Sequence, residues 1–107
     1  MTVNQKQRSY KIESRADADQ VRNGFPAVVY VHSMQLVLAI GGFKTDSVSI
    51  HSLEQNNWRP MHRRLKQSRN RLSGCVMGNF VYIVCGIANG LAVNSLERAH
   101  VDSLGET

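Results

Sequence analysis

The sequence predicts an all-β chain, and three observations carry that prediction. Short apolar runs rich in β-branched residues end at turn residues, as strands do. A stretch after the second run alternates polar and apolar side chains, the pattern of a half-buried strand. The whole set then recurs once, at a spacing far longer than a hairpin. The chain has 107 residues, of which 42% are apolar, enough for one small core and too many for a disordered chain.

Taken in order, residues 1–24 form a polar N-terminal tail or linker, with Val3, Tyr10, Ile12 and Val21 as its larger apolar groups. Ser14 is a candidate cap for a short helix running to Arg22 and ended by Gly24. The remainder, residues 25–107, holds the strands. Ala27–Val31 and Leu36–Ile40 are the first two, the second ending at Gly41-Gly42. Ser47–Leu53 alternates. Asn56-Asn57 marks a turn, and Trp58–Met61 is a brief edge strand stopped by Pro60.

The pattern then returns. Leu72–Met77 matches the first strand, Gly78-Asn79 a tight hairpin turn, and Phe80–Val84 the second strand, ending at Cys85-Gly86. Asn94–Ala99 takes the place of the alternating strand. Gly42 and Gly86 stand 44 positions apart, and Ser47 and Ser95 stand 48 apart. The difference falls in the loop after the glycines. A strand-rich period of roughly 40–50 residues with variable loops indicates propeller blades, one at about 25–61 and a second, incomplete, at about 69–107.

In these residues the chain resembles the kelch repeat. That pattern is a strand ending in Gly-Gly, an alternating strand, a Trp after a polar turn, then Met, Arg and the next strand. Gly41, Gly42, Ser47, Val48, Trp58 and Met61 match in the first unit, Arg69, Gly74 and Tyr82 in the linking segment, and Ser95, Leu96 and Glu97 in the second. The chain departs from it at Cys85, which replaces a glycine, at His51, where Tyr is preferred, and at Glu106, where the next Trp would stand. The resemblance implies a partial propeller of about two four-stranded antiparallel blades, with Gly41, Gly42, Trp58, Tyr82 and Gly86 as structural repeat positions. It also implies inner strands buried on both faces and outer strands that alternate. Two blades cannot close a ring, so further blades or self-association are expected.

The cysteines predict free, mostly buried thiols. The Gly78-Asn79 turn pairs Met77 with Phe80 and Cys75 with Tyr82. Cys85 then lies three residues further along, at ~10 Å from three rises of ~3.3 Å. That separation exceeds what a disulfide spans. His32, His51, His62 and His100 have no metal-ligand spacing, and no catalytic constellation or phosphate loop is present. The expectation is a protein that is not an enzyme and uses no cofactor. No apolar run reaches 18 residues, and Met1–Tyr10 has no apolar signal region, so neither a membrane span nor secretion is expected. The expected location is the cytoplasm, or the nucleus if the basic stretch is a targeting signal.

The one chemically pointed feature is basic. The chain carries 13 Lys+Arg against 8 Asp+Glu, a net charge of +5. Arg59, Arg63, Arg64, Lys66, Arg69 and Arg71 fall within residues 59–71, which contain no acid. In the up-and-down order of a blade, this connection shares a face with Phe43–Asp46 and Ile87–Val93. The candidate partner-binding residues are therefore Arg63, Arg64, Lys66, Arg69, Arg71, Phe43 and Lys44. Arginine suits an acidic peptide because its planar fork holds carboxylates at two points. Arg69 is also a candidate structural blade residue. Nucleic acid is the weaker expectation, since residues 59–71 have no aromatic to stack on a base. The family resemblance implies a protein-interaction module, commonly the substrate-recognition part of a cullin-type ubiquitin ligase adaptor. Actin binding, or a truncated fragment without function, is the alternative.

Overall fold

The computed structural model describes residues 12–20 and 22–106. Residues 1–11 and Val21, half of the polar tail read from the sequence, lie outside the described residues. The chain is all-β and antiparallel. Nine strands form among the described residues: β1 (Ala27–Val31), β2 (Leu36–Ile40), β3 (Val48–Ser52), β4 (Asn57–Pro60), β5 (Ser73–Met77), β6 (Phe80–Val84), β7 (Ile87–Ala88), β8 (Leu91–Ala92) and β9 (Leu96–His100). They make a four-stranded sheet in the order β1-β2-β3-β4, a three-stranded sheet β5-β6-β9 and a two-stranded ribbon β7-β8. The two larger sheets stack face to face and do not close into a ring. The expected second blade of four strands thus has three among the described residues, and β9 is its outer edge.

Register follows the turns. The two-residue turn Gly78-Asn79 pairs Met77 with Phe80 and Cys75 with Tyr82, as the sequence predicts. Gly78 takes a positive φ of 61°, which a two-residue hairpin favours. β4 ends at Pro60, where the missing N–H costs least on an edge. The extra residues of the second unit fold into the β7–β8 hairpin, turned by Asn89 and Gly90, both at positive φ. An Asn-Gly pair is a strong hairpin signal, and here it accounts for the longer loop.

The core lies between the two sheets. From the first come Ala27, Val29, Val31, Leu36, Leu38, Ile40, Val48 and Ile50; Val81 and Ile83 come from the second. Val31, Leu38 and Ile50 are at most 2% exposed. Burial of each stabilises the fold by about 1.5–3 kcal/mol. Close stacking depends on Gly74, where a Cβ would stand 2.7 Å from a Val29 methyl.

Four expectations are overturned. The first is that inner strands are buried on both faces. Instead β1 alternates strictly, with Val28 and Tyr30 exposed, and β6 alternates between buried and half-buried. Each large sheet has only one other sheet against it, so one face of each inner strand stays open. The second concerns β3, expected to alternate, which is buried at Val48, Ser49, Ile50 and His51.

The N-terminal segment explains that burial, and it corrects the expected Ser14–Arg22 helix. Its described residues hold no helix. They run instead beside the face that bears Ser49, His51 and Trp58. Ala16 N–H and Arg15 Nε donate to Asn56 Oδ1, Trp58 Nε1 donates to the Ala16 carbonyl, and Ser47 Oγ donates to Gln20. Backbone groups inside a helix would be consumed by the helix; here the Ala16 N–H goes to the turn between β3 and β4, and the Ala16 carbonyl accepts from β4. The fourth correction is at the cysteines. Both thiols are free, but both are exposed. Cys75 sits on the open face of β5, and Cys85 stands in the bend after β6.

Candidate partner-binding surface

The two units repeat an arginine, buried in the second unit and half-buried in the first. Arg69 is 1% exposed and donates to the Cys85 carbonyl (2.9 Å), the Ser95 carbonyl (3.0 Å) and Ser95 Oγ (3.0 Å). It also pairs with Glu97 at 2.7 Å. Arg22 does the same one unit earlier. It donates to the Gly41 carbonyl (2.9 Å), the Ser47 carbonyl (2.9 Å) and Ser49 Oγ (2.7 Å). Burial pushes the Arg22 guanidinium below its ordinary value, and the charge of Asp19 opposes the shift. Each arginine ties the bend after the second strand to the start of the third.

This removes Arg69 from the partner-binding set. Its guanidinium is enclosed, so it is a structural residue and cannot meet a partner. Arg22 escaped the sequence reading because it was assigned to the tail. The signal that finds it is its spacing: Arg22-Asn23 repeats as Arg69-Asn70. The backbone confirms the correspondence, since the Asn23 carbonyl accepts from Phe43 N–H and the Asn70 carbonyl from Ile87 N–H.

The remaining candidates fall into two groups. Arg63, Arg64 and Lys66 lie beside the second and third strands of the two sheets. Arg64 pairs with Asp46 at 2.7 Å, Leu65 N–H donates to the Asp46 carbonyl, and Lys66 N–H donates to Glu97. The expected sharing of one region by 62–71, Phe43–Asp46 and Ile87–Val93 is seen in these bonds and in the Asn70–Ile87 bridge. These cations rim a groove of about 270 Å³ between the sheets. Leu38, Ile40 and Val48 line it from the first sheet, Val81, Ile83 and Ala99 from the second, and Met61, Leu65 and Leu104 close it. Glu97 is the one acid among its lining residues, and the Arg98 and His100 side chains turn to the Phe80 ring on the other face of β9. Sequence reading found the cations here but missed the apolar floor, which exists only once the sheets stack.

The second group is Phe43, Lys44 and Arg71. Lys44 Nζ lies 5.3 Å from the centre of the Phe43 ring, and Arg71 lies 4.5 Å from that of Phe25. Phe25 and Phe43 are 63% and 55% exposed. Phe25, Lys44 and Arg71 all carry positive φ near 60°. Non-glycine residues rarely adopt such angles, and here Arg71 N–H to the Phe25 carbonyl (2.8 Å) holds the geometry.

The structural positions divide too. Gly42 and Gly86 have φ of +130° and +106°, and a Cβ at Gly86 would lie 2.6 Å from the Asn70 carbonyl. No side chain fits there. Trp58 is half-buried against His51, with ring centres 5.0 Å apart. Tyr82 lies on the open face of β6 beside Phe80. Among the described residues no group of three or more His, Cys, Asp or Glu stands together as a metal site, and no helix is long and apolar enough to cross a membrane.

No protein-family model matches the chain, and no curated protein matches it in sequence.

Proposed function

We propose that the chain is a non-enzymatic protein-interaction module built on kelch-type propeller blades, and that it takes an acidic segment of its partner. The observation that carries this reading is the groove between the sheets. It combines an apolar floor with Arg63, Arg64 and Lys66 around its mouth, the pairing of burial and charge that interfaces use. The blade reading rests on the family resemblance together with the repeated Arg22 and Arg69 bonds. The setting it implies is the substrate-recognition part of a cullin-type ubiquitin ligase adaptor in the cytoplasm or nucleus.

The test is charge reversal. Arg63→Glu with Arg64→Glu removes two cations from the rim. Arg64 and Asp46 are 59% and 38% exposed, so their pair contributes at most about 1 kcal/mol to stability. Each lost charge-assisted contact costs binding about 1.5–3 kcal/mol. The double variant should keep a melting curve close to the parent's and lose the parent's partners in affinity capture. Capture of every partner by the folded double variant would defeat the acidic-segment reading.

A further inference from the structure

The groove has a counterpart in the first sheet, and there it is filled. Trp58 lies opposite His51, and Arg59 opposite Ile50, because β4 is paired to β3. The repeat makes β9 the counterpart of β3: the Gly41–Ser47 hydrogen bond corresponds to the Cys85–Ser95 bond. Ala99 then corresponds to His51, and Arg98 to Ile50. The second sheet has no strand beyond β9 among the described residues. The place corresponding to Trp58 is therefore the space beside Ala99, which lines the groove.

The edge itself is suited to pairing. Ser95, Glu97 and Ala99 turn their backbone groups to β6, so those of Leu96 and Arg98 point outward. In the first sheet, the corresponding Val48 carbonyl accepts from Met61 N–H at 2.9 Å. An exposed edge of this kind templates an added strand.

We propose that β9 takes an extended peptide of a partner protein as a fourth strand, with an aromatic side chain seated beside Ala99 and an acidic residue next to it facing Arg98. The apolar groove accepts the ring. The rim of Arg63, Arg64 and Lys66 selects an acidic rather than a basic strand. Main-chain bonds to β9 supply affinity, and the alternating side chains supply specificity. This deepens the interaction-module reading and rests on it.

The probe is a fluorescein-labelled synthetic peptide with the sequence of residues 54–62 of this chain, carrying Arg59→Glu. Fluorescence anisotropy with the full chain should show saturable binding. The peptide that keeps Arg59 should bind at least tenfold more weakly, as should the Glu peptide with Trp58→Ala. Arg98→Glu in the full chain should reverse the preference, binding the Arg peptide better than the Glu peptide. That reversal reads the cross-strand pair and cannot come from unfolding. Ala99→Lys should block both peptides. No saturable binding, or binding indifferent to the Arg98 swap, overturns the proposal. So does a dimer that excludes the peptide, which would give the groove to a second copy. If the peptide fails while the Arg63/Arg64 double variant loses the parent's partners, the interaction module stands and only the added strand is lost.

Discussion

At the scale of single residues, the two repeated arginines differ in a way that orders their importance. Arg69 is fully enclosed and holds an ion pair with Glu97, itself 16% exposed. Arg22 is half-buried, and among the described residues its hydrogen bonds go to neutral oxygens. Removing one partner of a buried pair leaves the other charge uncompensated and costs about 3–5 kcal/mol. Losing neutral partners of a half-buried cation costs about 1.5–3 kcal/mol. Urea unfolding should therefore rank Arg69→Ala as the more damaging change and Arg22→Ala as the lesser. An equal loss would mean that Glu97 adds nothing to the site. Cys85 gives a prediction of opposite sign. It stands at φ +65°, where its counterpart Gly41 stands at +70°. A Cβ at Gly41 would meet the Arg69 carbonyl at 2.7 Å, whereas Cys85 is exposed. The cysteine is tolerated for space but strained in its backbone. Cys85→Gly should raise stability by about 0.5–1 kcal/mol, read as a higher urea midpoint. A fall would show that the thiol makes a contact worth more than the strain.

At the scale of elements, strands and turns were largely legible and their environments were not. β2, β5 and β6 appear close to the expected bounds, and the β5–β6 register follows from a two-residue turn. These depend on neighbours in sequence, and sequence carries them directly. Which face of a strand is covered depends on what arrives from elsewhere. Ser49 and His51 read as solvent-facing until residues 15–20 and Arg22 are laid over them. The apolar floor under Arg63 and Arg64 is equally invisible, because its parts come from β2, β3, β6 and β9. The N-terminal segment defeats local reading altogether: its polar residues make long-range hydrogen bonds where a capped helix was expected. Asn56 shows how such a segment is held. Its Oδ1 accepts from Ala16 N–H and from Arg15, which leaves His51 Nε2, 3.1 Å away, as a third donor. Trp58 is the other anchor, through its bond to the Ala16 carbonyl at 2.9 Å. Since the ring is half-buried, Trp58→Ala should cost about 2–3 kcal/mol, less than a fully buried aromatic loses. Trp58→Phe should recover the ring contact with His51 but not the hydrogen bond, leaving a loss of about 1 kcal/mol. Equal losses for the two variants in thermal unfolding would assign the whole effect to the Ala16 bond.

At the scale of the whole molecule, the two sheets share one interface, and neither has another sheet against its remaining face. The faces are not alike. On the first sheet, Val28 and Tyr30 are exposed, and residues 15–20 and Arg22 lie over the part that bears Ser49, His51 and Trp58. On the second, the register gathers Cys75, Met77, Phe80, Tyr82, Val84 and Leu96 on one side, with Arg98 resting on the Phe80 ring at 4.1 Å from its centre. Met77 and Leu96 are 64% and 58% exposed. The internal interface joins the face of the first sheet that bears Val29 and Leu38 to the face of the second that bears Val76 and Val81. By the repeat, the open face of the second sheet corresponds to the first of these, and the open face of the first sheet to the other. Two copies can therefore stack head to tail through the same kind of contact that each chain makes within itself. Such contacts join unlike patches and either close into rings or extend into chains. A contiguous apolar face drives this association, whereas scattered exposed residues do not. Sedimentation velocity over a hundredfold concentration range should show the parent chain associating. Met77→Glu with Leu96→Glu should hold it monomeric without unfolding it, because both side chains are exposed and such changes cost about 0.5 kcal/mol or less. A parent chain that stays monomeric across that range would show that the open faces do not attract each other. Association unaltered in the double variant would move the contact to another surface.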